Sequence, residues 1–247
     1  MTALRVQDVT VAFGGLRAVD TVALDVARGE RRVMLGPNGA GKTTLFNAIG
    51  GQVRPTRGRI LLDGRDVTRL KPFRRAHAGL ARTFQITTLF QNLTVEDNIL
   101  LAVQAFSPRR YAMLRSAARI REIVERVASL LRDWRFGAER SMLVRDLSYG
   151  EQRKLEIAMA LAHQPRILLL DEPTAGLSTA ETENVVSLIK GLSRDVTLLI
   201  IEHDMDVAFA IGDRFTVLSA GAVLAEGTAE DIRANPKIQA IYFGESG

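Results

Sequence analysis

The chain has 247 residues, 47% hydrophobic and 25% charged, the proportions of an ordinary globular protein long enough to bury a substantial core. It has no cysteine and three scattered histidines, which exclude disulfides and thiolate metal sites and argue against structural zinc; no segment reaches the ~18 apolar residues of a membrane span, and Met1 to Val6 lack a signal-peptide pattern. The net charge of +5 comes without a long lysine or arginine run, so no nucleic-acid partner is expected.

Leu4 to Phe13 alternate apolar with polar residues, and with Thr21 to Ala27 they predict an antiparallel layer. Arg31 to Leu35 predicts a short strand entering the run Gly36-Pro37-Asn38-Gly39-Ala40-Gly41-Lys42-Thr43-Thr44, and Leu45 to Ile49 the helix leaving it. Glycines at 36, 39 and 41 let successive backbone N–H groups converge on phosphate oxygens, which side chains would obstruct. Lys42 then supplies charge for β and γ phosphates, Thr43 a hydroxyl for Mg²⁺, and the helix a partly positive N-terminus. Gly36, Asn38, Gly39, Ala40, Gly41, Lys42, Thr43 and Thr44 are accordingly the candidate nucleotide-binding residues.

Ile60 to Leu62 followed by Asp63-Gly64 predicts a hairpin, and Leu80 to Phe84 a core strand ending at Gln85. From Thr94 to Trp134 the periodicity is helical. Thr94 and Asp97 form a capping box, Val95, Ile99, Val103 and Phe106 share one face, and Ser107-Pro108 breaks that helix. The next helix carries Ile120, Ile123, Val124, Val127, Leu130, Leu131 and Trp134 as an apolar stripe, with Arg121, Glu122, Glu125 and Arg126 outside.

Ser148-x-x-Glu151 is a second capping box, opening a helix through Leu155, Ala158, Met159 and Ala162; an exposed serine and glycine at its start can bind an anion. Ile167 to Leu170 reads as a strand buried on both faces that delivers Asp171 and Glu172 at its carboxyl end, where open α/β sheets bind ligands. There Asp171 would hold Mg²⁺ and Glu172 would polarise the water attacking a γ-phosphate. A helix over about Ala180 to Lys190, a strand over Thr197 to Ile201, another helix, a hairpin at Ala220-Gly221, a helix after Thr228 and a short one from Asn235-Pro236 complete the chain. The alternation of β and α units predicts an α/β fold with a mostly parallel core sheet, an antiparallel β layer and an inserted helical subdomain.

The phosphate loop, Leu147-Ser148-Tyr149-Gly150-Glu151 and the strand ending in Asp171-Glu172, in this order, resemble the ATP-binding subunit of an ABC transporter, a P-loop ATPase. The resemblance covers nearly the whole chain and implies one ABC ATPase domain over 1–247. Its nucleotide-binding core would span 1–85 and 151–247, and its helical subdomain 86–150. ATP and Mg²⁺ are the implied cofactors. Phe13 would stack on adenine. Gln85 would sense Mg²⁺ and γ-phosphate and face the membrane partner, His203 would position the attacking water, and Ser148 and Gly150 would complete the active site of a second subunit. Ser178 stands where most of the family has an aspartate that communicates across the dimer.

Finer features, Phe13-Gly14-Gly15-Leu16, Arg82-Thr83-Phe84-Gln85, Ile201-Glu202-His203-Asp204-Met205 and Tyr242-Phe243-Gly244, are similar to the ATP-binding subunits of branched-chain amino acid type importers, which also take up amides, urea or aromatic acids. That branch implies two permease subunits, a second homologous ATPase in a homo- or heterodimer, an extracytoplasmic solute-binding protein acting indirectly, and a peripheral place on the cytoplasmic face of the membrane. The ATPase of a lipid or lipopolysaccharide exporter, or a soluble cluster-assembly ATPase, is the alternative. His77 and His163 match no motif and read as surface or packing residues.

Overall fold

The computed structural model describes residues 1–83, 89–105 and 117–243, with side chains for all of these except 117–120 and 241–243. The features expected at Phe84, Gln85, Phe106, Ser107-Pro108 and Gly244 lie outside the described residues. The chain forms two compact units, one of residues 1–82, 166–173 and 189–247, the other of residues 83–165 and 174–188. In chain order its elements are β1 (Thr2–Phe13), β2 (Leu16–Ala27), β3 (Arg31–Leu35), α1 (Lys42–Gly50), β4 (Arg57–Leu62), β5 (Arg65–Asp66), α2 (Pro72–His77), β6 (Leu80–Arg82), α3 (Val95–Ala105), α4 (Ala117–Asp133) and α5 (Tyr149–Ala160). They continue with β7 (Ile167–Asp171), α6 (Thr179–Lys190), β8 (Thr197–Ile201), α7 (Met205–Ile211), β9 (Arg214–Ser219), β10 (Ala222–Gly227), α8 (Ala229–Ala234) and α9 (Pro236–Phe243).

The first unit holds two sheets. One is antiparallel, in the order β2-β1-β4-β5; the other runs β10-β9-β3-β8-β7-β6, parallel throughout except for the edge strand β10. Strands β3, β7 and β8 are buried at every position, as strands in the middle of a parallel sheet covered on both faces must be. In helix α1, Leu45, Phe46, Ala48 and Ile49 are fully buried in a core shared with residues of both sheets.

One local reading needs correction in this unit. Strand β2 begins at Leu16 rather than Thr21, because Thr21 sits at φ +52° beside register shifts in the β1–β2 ladder, and that kink hides the earlier half of the alternation. Arg31 and Arg32 are buried although charged. Arg31 donates to the carbonyls of Lys190 (2.8 Å) and Leu192 (3.0 Å), while Arg32 binds Glu30 (2.6 Å), Glu226 (2.9 Å) and Thr216 (2.9 Å), so neither lacks a partner.

In the second unit, α3 packs against α4 and α5. Its core takes Val95 and Ile99 from α3, Ile123, Val127, Leu130 and Leu131 from α4, and Leu155, Ile157 and Ala158 from α5, with Trp134 after α4. Both expected capping boxes form: the Thr94 N–H (3.4 Å) and hydroxyl (2.6 Å) donate to the Asp97 carboxylate while the Asp97 N–H donates back to Thr94 Oγ1, and at α5 the Ser148 N–H donates to Glu151 Oε2 (2.8 Å) while the Glu151 N–H donates to Ser148 Oγ (3.2 Å). Val124 leaves the predicted stripe and is 59% exposed, since its place next to Ile123 turns it about 100° around the helix. Val103 is only half-buried. Arg126, expected outside, instead turns inward and donates to the carbonyls of Leu161 (2.6 Å) and Ala162 (3.3 Å), which closes the end of α5.

Candidate functional site

The loop between β3 and α1 is shaped by glycines at positive φ, two of which leave no room for a side chain. Gly36 has φ +146°, and a Cβ there would lie 2.2 Å from the carbonyl oxygen of Leu218; Gly41 has φ +97°, and its Cβ would lie 2.3 Å from the carbonyl oxygen of Ala18. Gly39, at φ +79°, opens onto empty space. Gly41 caps α1 and has no side chain with which to do so, so the first-turn N–H groups of α1 face outward without a side-chain acceptor, the arrangement that receives an anion.

Lys42 is buried, and its Nζ curls back onto the carbonyls of Gly36 (2.6 Å) and Pro37 (3.0 Å). Burial lowers its pKa, and the charges of Glu172 and Asp171 oppose that shift. Asn38 and Thr43 are exposed, Thr44 is half-buried and Ala40 is buried, donating its N–H to Pro37 (3.2 Å). This cradle of outward N–H groups with a cationic amine at its rim fits the phosphates of a nucleotide.

Asp171 ends β7 at 1% exposure. Its Oδ2 accepts from Arg82 Nη2 at 3.0 Å, and Arg82 Nη1 donates to Asn47 Oδ1 of α1 at 2.6 Å while the guanidinium lies 5.1 Å from the centre of the Phe46 ring. The next residue, Glu172, adopts a left-handed backbone (φ +47°), a conformation disfavoured for a non-glycine residue and anchored by its N–H on Ile201 O (3.0 Å). That twist brings Glu172 Oε1 within 3.9 Å of His203 Nδ1, next to the end of β8; the separation exceeds a hydrogen bond. Loop lysine, buried aspartate, glutamate and histidine thus converge at the carboxyl ends of β3, β7 and β8.

Phe13 ends β1 at 54% exposure, a ring offered to solvent rather than packed in the core. In the second unit, Ser148 is exposed at the cap of α5, Gly150 is buried, and the Gly150 N–H donates to Glu181 Oε1 at 3.1 Å. Ser178 caps α6 through Glu181. Among the described residues, no group of three or more His, Cys, Asp or Glu side chains is arranged to hold a metal. His77 binds Phe73 O (2.8 Å) at the surface.

Sequence reasoning passed over three residues: Arg82, Glu181 and Arg75. Arg75 is 1% exposed and donates to the carbonyls of Ala48 (2.7 Å), Ile49 (2.6 Å), Thr68 (3.0 Å) and Leu70 (3.1 Å), fastening the far end of α1. Only Arg82 stood in a quoted motif. Taken together, an anion cradle, an amine, a buried carboxylate for a cation and a second carboxylate beside an imidazole can bind a nucleoside triphosphate and activate water against its terminal phosphate.

Residues 19–175 match the family described as "ABC transporter". The chain is 41% identical to the high-affinity branched-chain amino acid transport ATP-binding protein BraF of Pseudomonas aeruginosa and 40% identical to LivG of Escherichia coli, each covering 98% of both chains. Among solved structures it is similar to the ADP conformation of MJ1267, an ATP-binding cassette of an ABC transporter, with TM-score 0.87 and 29% identity over 99% of this chain and 100% of that one. It also resembles the dimeric post-hydrolysis state of the cassette MJ0796 bound to ADP and Pi, with TM-score 0.75 and 28% identity over 92% of this chain and 98% of that one.

Proposed function

This chain belongs to the ABC transporter family of ATP-binding proteins, and from that premise we propose that it is the ATP-hydrolysing subunit powering an importer of branched-chain amino acids or related amide or aromatic-acid solutes. The observation that carries this reading is the end-to-end likeness to BraF and LivG, which favours it over a lipid exporter or a cluster-assembly system. The site supports the chemistry.

In this reading Phe13 stacks on adenine, and the backbone from Gly36 to Thr44, with Lys42, binds the phosphates. Thr43, Asp171 and Gln85 would hold Mg²⁺, whose contribution when bound is to neutralise charge on the β and γ phosphates. Glu172 polarises the attacking water and takes its proton, and His203 orients that water. Ser148 and Gly150 complete the site of a second cassette, so that ATP closes the pair and hydrolysis reopens it. Two permease subunits receive that motion near Gln85, and the solute-binding protein outside the cell sets what is carried. The peripheral place on the cytoplasmic face agrees with the finding that no helix among the described residues is long and apolar enough to cross a membrane.

The test is to tag the chain in its own cell, solubilise the membranes gently and identify copurifying proteins by mass spectrometry. Two multispan permeases and a second homologous ATPase are expected. Recovery of soluble assembly factors alone would overturn transport as the function.

A further inference from the structure

Glu181 does more than cap α6. Its Oε2 accepts from the Ser178 N–H (3.0 Å) and from Ser178 Oγ (2.7 Å), which already satisfies a capping box. The other oxygen, Oε1, turns to the start of α5 and accepts the Gly150 N–H at 3.1 Å. A Cβ on Gly150 would lie 2.6 Å from Oε1, 2.7 Å from Cγ and 2.8 Å from Cδ, so the carboxylate rests directly against the glycine backbone and only glycine permits it. Hydrogen bonds from Ser178, from Gly150 and from the Ser148 hydroxyl hold this carboxyl below its ordinary range, so it is a full anion at neutral pH. One carboxylate therefore faces the N-termini of two helices at once.

We infer that Glu181 is a positioning residue for ATP-driven closure: its carboxylate occupies the Gly150 N–H in the separated cassette and must release it before a partner's γ-phosphate can bind there, so Glu181 sets how much ATP closure requires. The inference rests on the role proposed above for Ser148 and Gly150. Two anions cannot share one N–H donor without repulsion, so phosphate and carboxylate exchange. On release, Glu181 keeps its bonds to Ser178, which leaves α6 capped and the exchange reversible. The serine at 178, where the family commonly has aspartate, supplies the hydroxyl for this fallback and spares Glu181 a like charge beside it.

The experiment uses the full chain carrying Glu172→Gln, alone and mixed with the homologous ATPase that copurifies, and follows dimer formation by light scattering as MgATP is titrated. Glu181→Gln removes the charge, and Glu181→Asp keeps charge and cap but is too short to reach Gly150. Both are expected to lower the half-saturating ATP by about tenfold, with fluorescent-ATP binding to the monomer unchanged. A half-point unmoved or raised in folded variants, while the parent still dimerises, would overturn the inference and leave the function standing. Failure of parent and variants alike to dimerise at saturating ATP would overturn both.

Discussion

Replacing Arg82 with methionine removes the cation that faces Asp171 and lies over the Phe46 ring, and leaves an unbranched apolar side chain in its place. Asp171 is 1% exposed, and its Oδ2 accepts from Arg82 Nη2 at 3.0 Å. Removing one partner of a buried ion pair costs ~3–5 kcal/mol, because the remaining charge stays desolvated. Lys42 also acts on this carboxylate, which offsets part of the loss, so the lower end, about 3 kcal/mol, is expected. For a chain of this size that corresponds to a melting point lower by about 6–12 °C. Arg82→Lys should recover part of the loss, because it restores a charge but not the fork joining Asn47 to Asp171. Circular-dichroism melts of the three proteins, with and without MgATP, make the measurement. A shift under about 2 °C for Arg82→Met, or full recovery by lysine, would refute the argument that this guanidinium ties the acidic strand to α1.

Arg75→Met should destabilise by about 3 kcal/mol in urea titrations, since four carbonyls lose their donor while the cost of burying a guanidinium disappears; burial already pushes Arg75 down to about 10. Acid sensitivity should come from carboxyls held low in the fold. Burial acts to raise Asp213, but hydrogen bonds from Arg194 and from the Arg31 N–H outweigh it, leaving Asp213 below 3.8. A carboxyl depressed by folding contributes stability that is complete above its unfolded value and is lost as pH falls toward its folded value. The melting point should therefore hold down to pH ~4.5 and drop below it, and Asp213→Asn should start lower and fall less steeply; parallel slopes in melts from pH ~6 to ~3 would contradict this.

The strands and caps were legible because their causes are local. A short uninterrupted apolar run that ends in polar residues suits a strand covered on both faces, which located β7 and β8, and the boxes at Thr94 and Ser148 each lie within one turn of chain. The loop glycines were legible for the same reason, and the three-motif order led to the family that the relatives show. What the sequence hid depends on distant partners. Arg32 meets Glu226, Arg82 meets Asp171 and Glu181 meets Gly150 only once the chain has folded, so no local pattern marks those pairings. The left-handed backbone at Glu172 was equally hidden, because no glycine or asparagine marks it. Val124 was misread because a wide stripe tolerates a neighbour that faces water.

The central claim is that this chain binds MgATP through the loop around Lys42 and hydrolyses it through Glu172. The direct measurement is steady-state phosphate release by the purified chain and by Glu172→Gln, with ATP binding measured on the same samples. Undiminished ATP binding with turnover reduced by at least about a hundredfold is the predicted result, the range that a positioned general base contributes. Equal turnover in the two proteins would contradict it.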